Sequence, residues 1–405
     1  MKYVTLLIAG AILFALSACG SNEDKYLEEA RRIHNEILTL DSHTDTPLML
    51  GRRGLDLGKR NDPHQGGGKL DFPRMEEGGL DAAFFAVFLS QGESSPKAFE
   101  VARNRAFAIF QTIEEALKPY PHLAEIALTP DDANRLRLEG KRAIYLGLEN
   151  AYPIGEDLSL VEKFYDLGAR YITLSHTRNN HISDSSDDPG GPIHNGLSDF
   201  GKKVIKEMNR LGMMIDVSHI SDKAFYDVLE LTQVPVIASH SNARAVHNHP
   251  RNLSDDMLLA LADNGGVVQL CFLYVKDMPA NPERDSARAE LRERFNNFQG
   301  LTDEQMEEAR AGWYAIEQQF PSQLPTVSDL VDHLDHIVNL IGIDHVGIGT
   351  DFDGGGQLED CFDVSQLHNL TAELLRRGYN PTDIEKIWSG NFMRVFREAQ
   401  KLREV

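Results

Sequence analysis

Along most of this chain, short apolar runs alternate with longer stretches whose apolar positions recur every three to four residues. The short runs predict strands buried on both faces, and the long ones predict amphipathic helices. The predicted strands span 37–45, 82–89, 143–150, 170–177, 213–219, 234–240, 266–272 and 345–353. Start and stop residues mark several helices between them. One is expected from Ser198 to Leu211, capped by Ser198 and stopped at Gly212. Others open at Ser221 and Ser254 and run to Leu231 and Asp263. Strands alternating with helices in this way predict an α/β fold, the parallel (β/α)8 TIM barrel. An open doubly wound sheet is the alternative. It is weakened because no Gly-rich nucleotide fingerprint follows a strand. Gly66-Gly67-Gly68 reads as a loop and not a phosphate cradle.

The N-terminus departs from this pattern. Lys2 is followed by an apolar run from Val4 to Leu16 and then by Leu16-Ser17-Ala18-Cys19-Gly20. A basic start, a short apolar core and small residues before a cleavage point describe a secretory signal. Leu-Ser-Ala-Cys further resembles the bacterial lipobox, in which the Cys is lipidated and becomes the first mature residue. Residues 1–18 are therefore expected to be a lipoprotein signal peptide, with lipid on Cys19. An uncleaved anchor and plain secretion are the alternatives. The expected location is the bacterial cell envelope, anchored by lipid and facing the periplasm or the exterior. Residues 19–34 read as a tether, polar from Ser21 to Lys25, and the start of the first helix. Residues 35–405 read as a single barrel domain, with an insertion near 276–324 that serves as a lid or as outer packing.

The 405 residues, 41% hydrophobic and 25% charged, are ordinary globular composition, enough for one large barrel. A net charge of −21 argues against nucleic acid and against an electrostatic grip on anionic lipid. With Cys19 committed to lipid, the other two of the three cysteines, Cys271 and Cys361, are expected as buried thiols and not as a pair. No Cys-x-x-Cys occurs, which excludes a thiolate zinc site.

Candidate chemistry collects at the C-terminal ends of the strands. His43 and Asp45 end the first, Glu149 the third, His176 the fourth, His219 the fifth, His240 the sixth, and Asp351 and Asp353 the eighth. In a barrel these ends converge on the active face. His43 and Asp45 are two apart and point to one side of a strand, as a metal-binding pair would. Alone, the His-Thr-Asp motif is weak, and a turn or cap role for Asp45 is the plainer reading. His219 and His240 fall one strand–helix repeat apart and can hold a second metal. Glu149, costly as a lone buried acid, has two oxygens and can bridge the two. Two metals would acidify a shared water and polarise a carbonyl. Asp351 can take the water's proton and pass it to a leaving amine, or serve as another ligand. His176 can donate to the oxyanion. Arg244 and Arg251 are both candidates for a substrate carboxylate.

These motifs resemble those of the membrane (renal) dipeptidases, peptidase family M19, among the metal-dependent hydrolase barrels. The resemblance covers roughly residues 35 to 400. It is carried by Asp41-Ser-His-Thr-Asp-Thr-Pro47, Leu146-Gly-Leu-Glu-Asn150, Arg170-Tyr-Ile-Thr-Leu-Ser-His176, Ile215-Asp-Val-Ser-His219, Ile237-Ala-Ser-His-Ser241 and Gly347-Ile-Gly-Thr-Asp-Phe-Asp-Gly354. It implies one zinc on His43 and Asp45, a second on His219 and His240, and Glu149 bridging them. It implies that Asp351 contacts the bridging water, that His176 stabilises the transition state, and that Arg251, not Arg244, holds the substrate carboxylate. It also implies a homodimer acting on dipeptides, some with a D residue at the C-terminal side. Cys271 stands where the family usually has a small polar residue, so a changed pocket wall is expected. A deacylase or lactam hydrolase would keep the metals and change the bond. A periplasmic binding lipoprotein without catalysis is the reading from another class. It would be expected to have lost Glu149, Asp351 or a metal His, and none is lost.

Overall fold

The computed structural model describes residues 22–50, 55–296 and 301–404. The signal-peptide segment and Cys19 lie outside the described residues. Among the described residues there are nine strands, one more than predicted, the short β3 being unforeseen: β1 Leu40–Thr44, β2 Ala82–Phe88, β3 Ala124–Ile126, β4 Arg142–Glu149, β5 Ala169–Thr173, β6 Met214–Asp216, β7 Ile237–Ala238, β8 Val267–Leu270 and β9 Val346–Ile348. Eight of them pair in parallel in the order β1-β2-β4-β5-β6-β7-β8-β9, and β3 pairs with β4 off that path. The last strand returns to the first. Asp351 N–H donates to the His43 carbonyl at 3.0 Å, and Asp45 N–H donates to the Phe352 carbonyl at 2.7 Å. The result is a nearly closed (β/α)8 barrel, as the alternation of elements predicted.

Alternation along the strands sorts the side chains into two cores. Ala82 and Phe84 of β2, Ala143 and Tyr145 of β4, Tyr171, Met214 and Val267 share an inner cluster. The helix Asn391–Lys401 closes it with Phe392, Val395 and Phe396. Ala83, Phe85 and Val87 of β2, with Ile144, Leu146 and Leu148 of β4, face the helices instead. Glu149 has the parity of Ala143 and Tyr145, so it points inward at the active end.

β1 breaks this rule. Leu40 and Asp41 pair with Ala82 and Ala83, but Thr44 pairs with Phe85, so one extra residue lies between. This bulge returns Thr44 to the outward face and turns His43 inward.

Several expectations change. The ladders are shorter than the apolar runs. His176, His219, His240 and Asp351 fall two or three residues beyond the strand ends. Side chains replace the ladder there: Asp216 Oδ1 accepts from the N–H of Ser218 at 3.0 Å and of Ser239 at 2.9 Å. Asn22 to Lys25 are not a tether but the first turn of a helix, Asn22–Glu36. Its polar face hid a stripe, Ala30 and Ile33, that is buried against the fold. The helices opening at Ser198, Ser221 and Ser254 form as expected, each capped by that hydroxyl. Within 276–324, helices Pro282–Arg294 and Asp303–Gln319 pack together around Leu291, Phe295 and Ala309.

Candidate active site

Six of the predicted strand-end residues meet in one cavity of about 260 Å³. Asp45, Glu149, His176, His219, His240, Arg251 and Asp351 all line it. His43 lies just beneath, fully buried. Its Nε2 is 3.6 Å from Asp45 Oδ2 and 3.6 Å from Glu149 Oε2. The other Glu149 oxygen, Oε1, is 3.2 Å from His219 Nε2, 3.6 Å from His240 Nε2 and 3.7 Å from His176 Nε2. Three ligand-capable groups result: His43, Glu149 and His240; Glu149, His176 and His219; and His43, Asp45 and Asp351.

These spacings test whether a metal fits. Two ligand atoms about 2.1 Å from one ion at tetrahedral angles lie about 3.4 Å apart. The observed values bracket that figure. The buried His43 Nε2 and Asp45 Oδ1 have no hydrogen-bond partner, and such orphans are costly unless something else satisfies them. Burial and the nearby Arg251 charge hold His219 neutral, while burial and His43 hold His240 neutral. Neutral imidazole is the form that donates a lone pair. His43 is pulled the other way: burial opposes its charge, but Tyr171, Glu149 and Asp45 together outweigh it. Burial drives the Asp351 carboxyl well up, and Asp45 and Glu149 add to it. A cluster that draws in positive charge while keeping two imidazoles neutral suits metal cations.

The fold orients these groups from behind. Tyr171 places its hydroxyl 2.9 Å from His43 Nδ1 and 3.3 Å from the Ser42 carbonyl. With Nε2 free as a lone pair, Nδ1–H donates to the hydroxyl and the hydroxyl donates onward. His240 Nδ1 lies 2.8 Å from Ser239 Oγ, which donates to Asp216 Oδ2 at 2.6 Å. Asp41 accepts from the Thr350 N–H and hydroxyl and from the His43 N–H, tying β1 to the loop that carries Asp351. Such partners fix tautomer and aim. Reading the sequence by strand ends missed Tyr171, Ser239 and Asp216 as supports. The available signal was an acid two or three residues before a histidine, in Asp41-Ser-His43 and Asp216-Val-Ser-His219.

Backbone strain gathers at the cavity. His219 (φ 71°), Asp351 (φ 60°) and Tyr274 (φ 59°) are left-handed without being glycine, a conformation kept where function demands an aim. A Cβ on Gly354 would stand 2.0 Å from Asp45 Oδ2 and 2.2 Å from Asp351 Oδ1, so only glycine fits between the two acids.

The remaining expectations separate. Arg251 is buried on the cavity wall, donates to the His240 carbonyl at 3.1 Å and leaves Nε unpartnered. Arg244 is spent on Asp222, with two bonds of 2.7 Å. Asp353 does not join the cluster; it accepts from the Lys69 N–H at 2.8 Å and the Thr46 hydroxyl at 3.1 Å. Cys271 and Cys361 are buried free thiols. Cys271 is buried with its Sγ 3.9 Å from Asp351 Oδ2, against a residue that lines the cavity.

Known proteins resemble this chain along most of its length. A family model described as membrane dipeptidase (peptidase family M19) matches residues 27–405. Dipeptidase tcpJ of Claviceps purpurea (strain 20.1) is 33% identical over 338 residues, covering 82% of this chain and 70% of its own. Dipeptidase 3 of Rattus norvegicus is 30% identical over 390 residues, 95% of this chain and 69% of its own. Among solved structures, the probable dipeptidase PvdM from Pseudomonas aeruginosa matches with a TM-score of 0.80 and 33% identity, covering 94% of this chain and 99% of that one. A metallopeptidase from Rhodobacter sphaeroides, liganded with a phosphinate mimic of the dipeptide L-Ala-D-Ala, matches with a TM-score of 0.70 and 25% identity, covering 90% and 99%.

Proposed function

Because the chain belongs to the membrane dipeptidase family, peptidase family M19, we propose that it hydrolyses dipeptides at a two-zinc site, including dipeptides with a D residue at the C-terminal side. The observation that carries this reading is one cavity lined by the Arg251 guanidinium and by the His, Asp and Glu side chains whose spacing fits metal ions. His43 and Asp45 would hold one zinc, His219 and His240 the other, and Glu149 would offer an oxygen to each. Bound zinc supplies an acidified water and an electrophile for the carbonyl.

The chain's own residues do the rest. Arg251 presents its fork to the substrate carboxylate and fixes the register of the peptide bond. Asp351 accepts the attacking water's proton and returns it to the leaving amine. His176, held neutral by burial and by Arg251, with its pKa lowered to about 4, keeps an N–H to donate to the developing oxyanion. The dipeptide mimic bound by the Rhodobacter sphaeroides relative supports a small L,D substrate. The signal-like N-terminus and Leu16-Ser17-Ala18-Cys19 support lipid on Cys19 and an anchor in the cell envelope facing the periplasm or the exterior, and the family resemblance implies a homodimer.

The test is hydrolysis of Gly, L,L and L,D dipeptides by the purified chain, as isolated, after chelation and with zinc restored. Cleavage that chelation abolishes and zinc restores is expected. Arg251→Ala is expected to raise KM about tenfold or more. Hydrolysis of acyl amino acids or lactams in preference to every dipeptide would overturn the substrate assignment.

A further inference from the structure

Arg251 lines the cavity, yet its side chain is lightly held. Among the described residues the guanidinium makes one hydrogen bond, to the His240 carbonyl at 3.1 Å, and its Nε makes none. A bidentate grip needs both the position and the plane of the fork fixed, so other groups must hold this arginine. The backbone that carries it is a closed loop. Ala243 and Leu253 pair at its ends, where Leu253 N–H donates to the Asn242 carbonyl and Arg244 N–H to the Leu253 carbonyl, each at 2.8 Å. Inside the loop the chain turns on His249. Its carbonyl accepts from the Asn252 N–H at 3.0 Å, and its ring Nδ1 accepts from the Arg251 N–H at 3.2 Å. The imidazole does here what an Asn or Asp side chain does when it closes a turn onto the N–H two residues on.

The same ring reaches a second loop. It stacks on Tyr274, with centroids 4.3 Å apart and planes 24° apart, a favourable aromatic contact. Tyr274 lies in the loop after β8 and lines the cavity, and the Arg251 guanidinium carbon lies 5.5 Å over its ring. The Asn252 side-chain amide joins the two loops again, donating to the Tyr274 carbonyl at 3.0 Å and to the His247 carbonyl at 2.9 Å. His249 is not among the residues lining the cavity, so it can reach a substrate only through residues that are. Because its Nδ1 accepts, the ring is neutral with its proton on Nε2. Burial lowers its pKa; Asp187, in the loop after β5, opposes this, and His247, Arg251 and Arg244 add to the lowering.

We propose that His249 is a positioning residue for the carboxylate grip: by taking the Arg251 amide hydrogen and stacking on Tyr274, it fixes where the guanidinium stands in the cavity. This rests on the dipeptidase reading above and on Arg251 as the grip. The test measures kcat and KM separately for Ala-Ala hydrolysis by the zinc-loaded full chain. His249→Ala is expected to raise KM about tenfold while kcat stays within about twofold. His249→Asn, whose side-chain oxygen can accept the same N–H, and His249→Phe, which keeps a stacked ring, are each expected to recover part of that loss. In an Arg251→Ala background, His249→Ala is expected to raise KM no further, because aim has no value once the aimed group is gone. An unchanged KM in His249→Ala, losses that add in the double variant, or no recovery by either Asn or Phe would overturn the assignment and leave the dipeptidase reading standing. Tm and zinc content that fall in step with activity in every His249 variant would also overturn it, by making this histidine a residue of the fold alone. No cleavage of Ala-Ala by the zinc-loaded wild type would overturn the dipeptidase reading, and the assignment with it.

Discussion

At the scale of single residues, the cavity is a set of atoms that need partners and are aimed by others behind them. His43 is the clearest case. Its Nε2 is buried and orphaned, while its Nδ1 is held by the Tyr171 hydroxyl. Tyr171 fits only because Gly147 opposes it; a Cβ there would stand 2.2 Å from the ring. Two variants separate aim from chemistry. Tyr171→Phe keeps the ring and removes the hydroxyl. It is expected to weaken zinc binding about 10–100-fold, measured by competition with a chelator, with kcat restored at saturating zinc. Asp351→Asn is expected to lower kcat about 10²–10⁴-fold at full zinc content. Zinc lost together with kcat would make Asp351 a ligand first and a base second.

At the scale of elements, the helix Asn22–Glu36 shows how a polar segment is docked. His34 is buried between this helix and the helix His368–Arg376. Its Nδ1 lies 3.1 Å from the Gly78 carbonyl, which can only accept, so Nδ1 carries the proton. Nε2 then accepts from the Thr371 hydroxyl at 2.7 Å, and that oxygen accepts from Trp388 Nε1–H at 2.7 Å. The neutral ring is satisfied, and a second proton has no acceptor. Burial, then the His368 charge, lowers the His34 pKa from 6.5 to about 3. Between those values the unfolded chain binds more protons than the folded one, so stability falls as pH drops below 6.5. At pH 5 the loss is about 2 kcal/mol. Urea unfolding at pH 7 and pH 5 should show a drop in wild type that exceeds the drop in His34→Gln by about that amount. Equal drops would mean that this histidine is not the titrating group.

At the scale of the whole molecule, the barrel gathers three acids, Asp45, Glu149 and Asp351, at one buried end of a chain of net charge −21. Their mutual repulsion opposes folding unless cations compensate it. Metal that binds only the folded chain adds about 2.7 kcal/mol for each site at a hundredfold excess over Kd. Chelation is therefore expected to lower Tm by roughly several degrees, and zinc to restore it, in a scan read at fixed pH. An unchanged Tm would argue that the acids are satisfied without metal.

Much of this was legible in the chain itself. The eight barrel strands, the barrel class, the three serine-capped helices and the cluster of His, Asp and Glu at strand ends all follow from local rules, whereas the three-residue β3, which pairs with β4 off the barrel path, was not foreseen. Burial on both faces leaves an apolar run, a cap leaves a hydroxyl at a fixed offset, and an active face leaves ionisable residues where apolar runs stop. The bulge in β1 left no such mark. It is a matter of register between Asp41, Thr44 and β2, and register depends on both strands at once. Arg244 and Arg251 look alike in sequence; Asp222 takes one and the cavity receives the other. The amphipathic stripe of residues 22–36 shows only against the helix that covers it. The sequence by itself determined the apolar runs that become the barrel strands and which chemistry is present. The tertiary structure alone decided which atoms face each other, because those contacts join segments hundreds of residues apart and no local pattern encodes them.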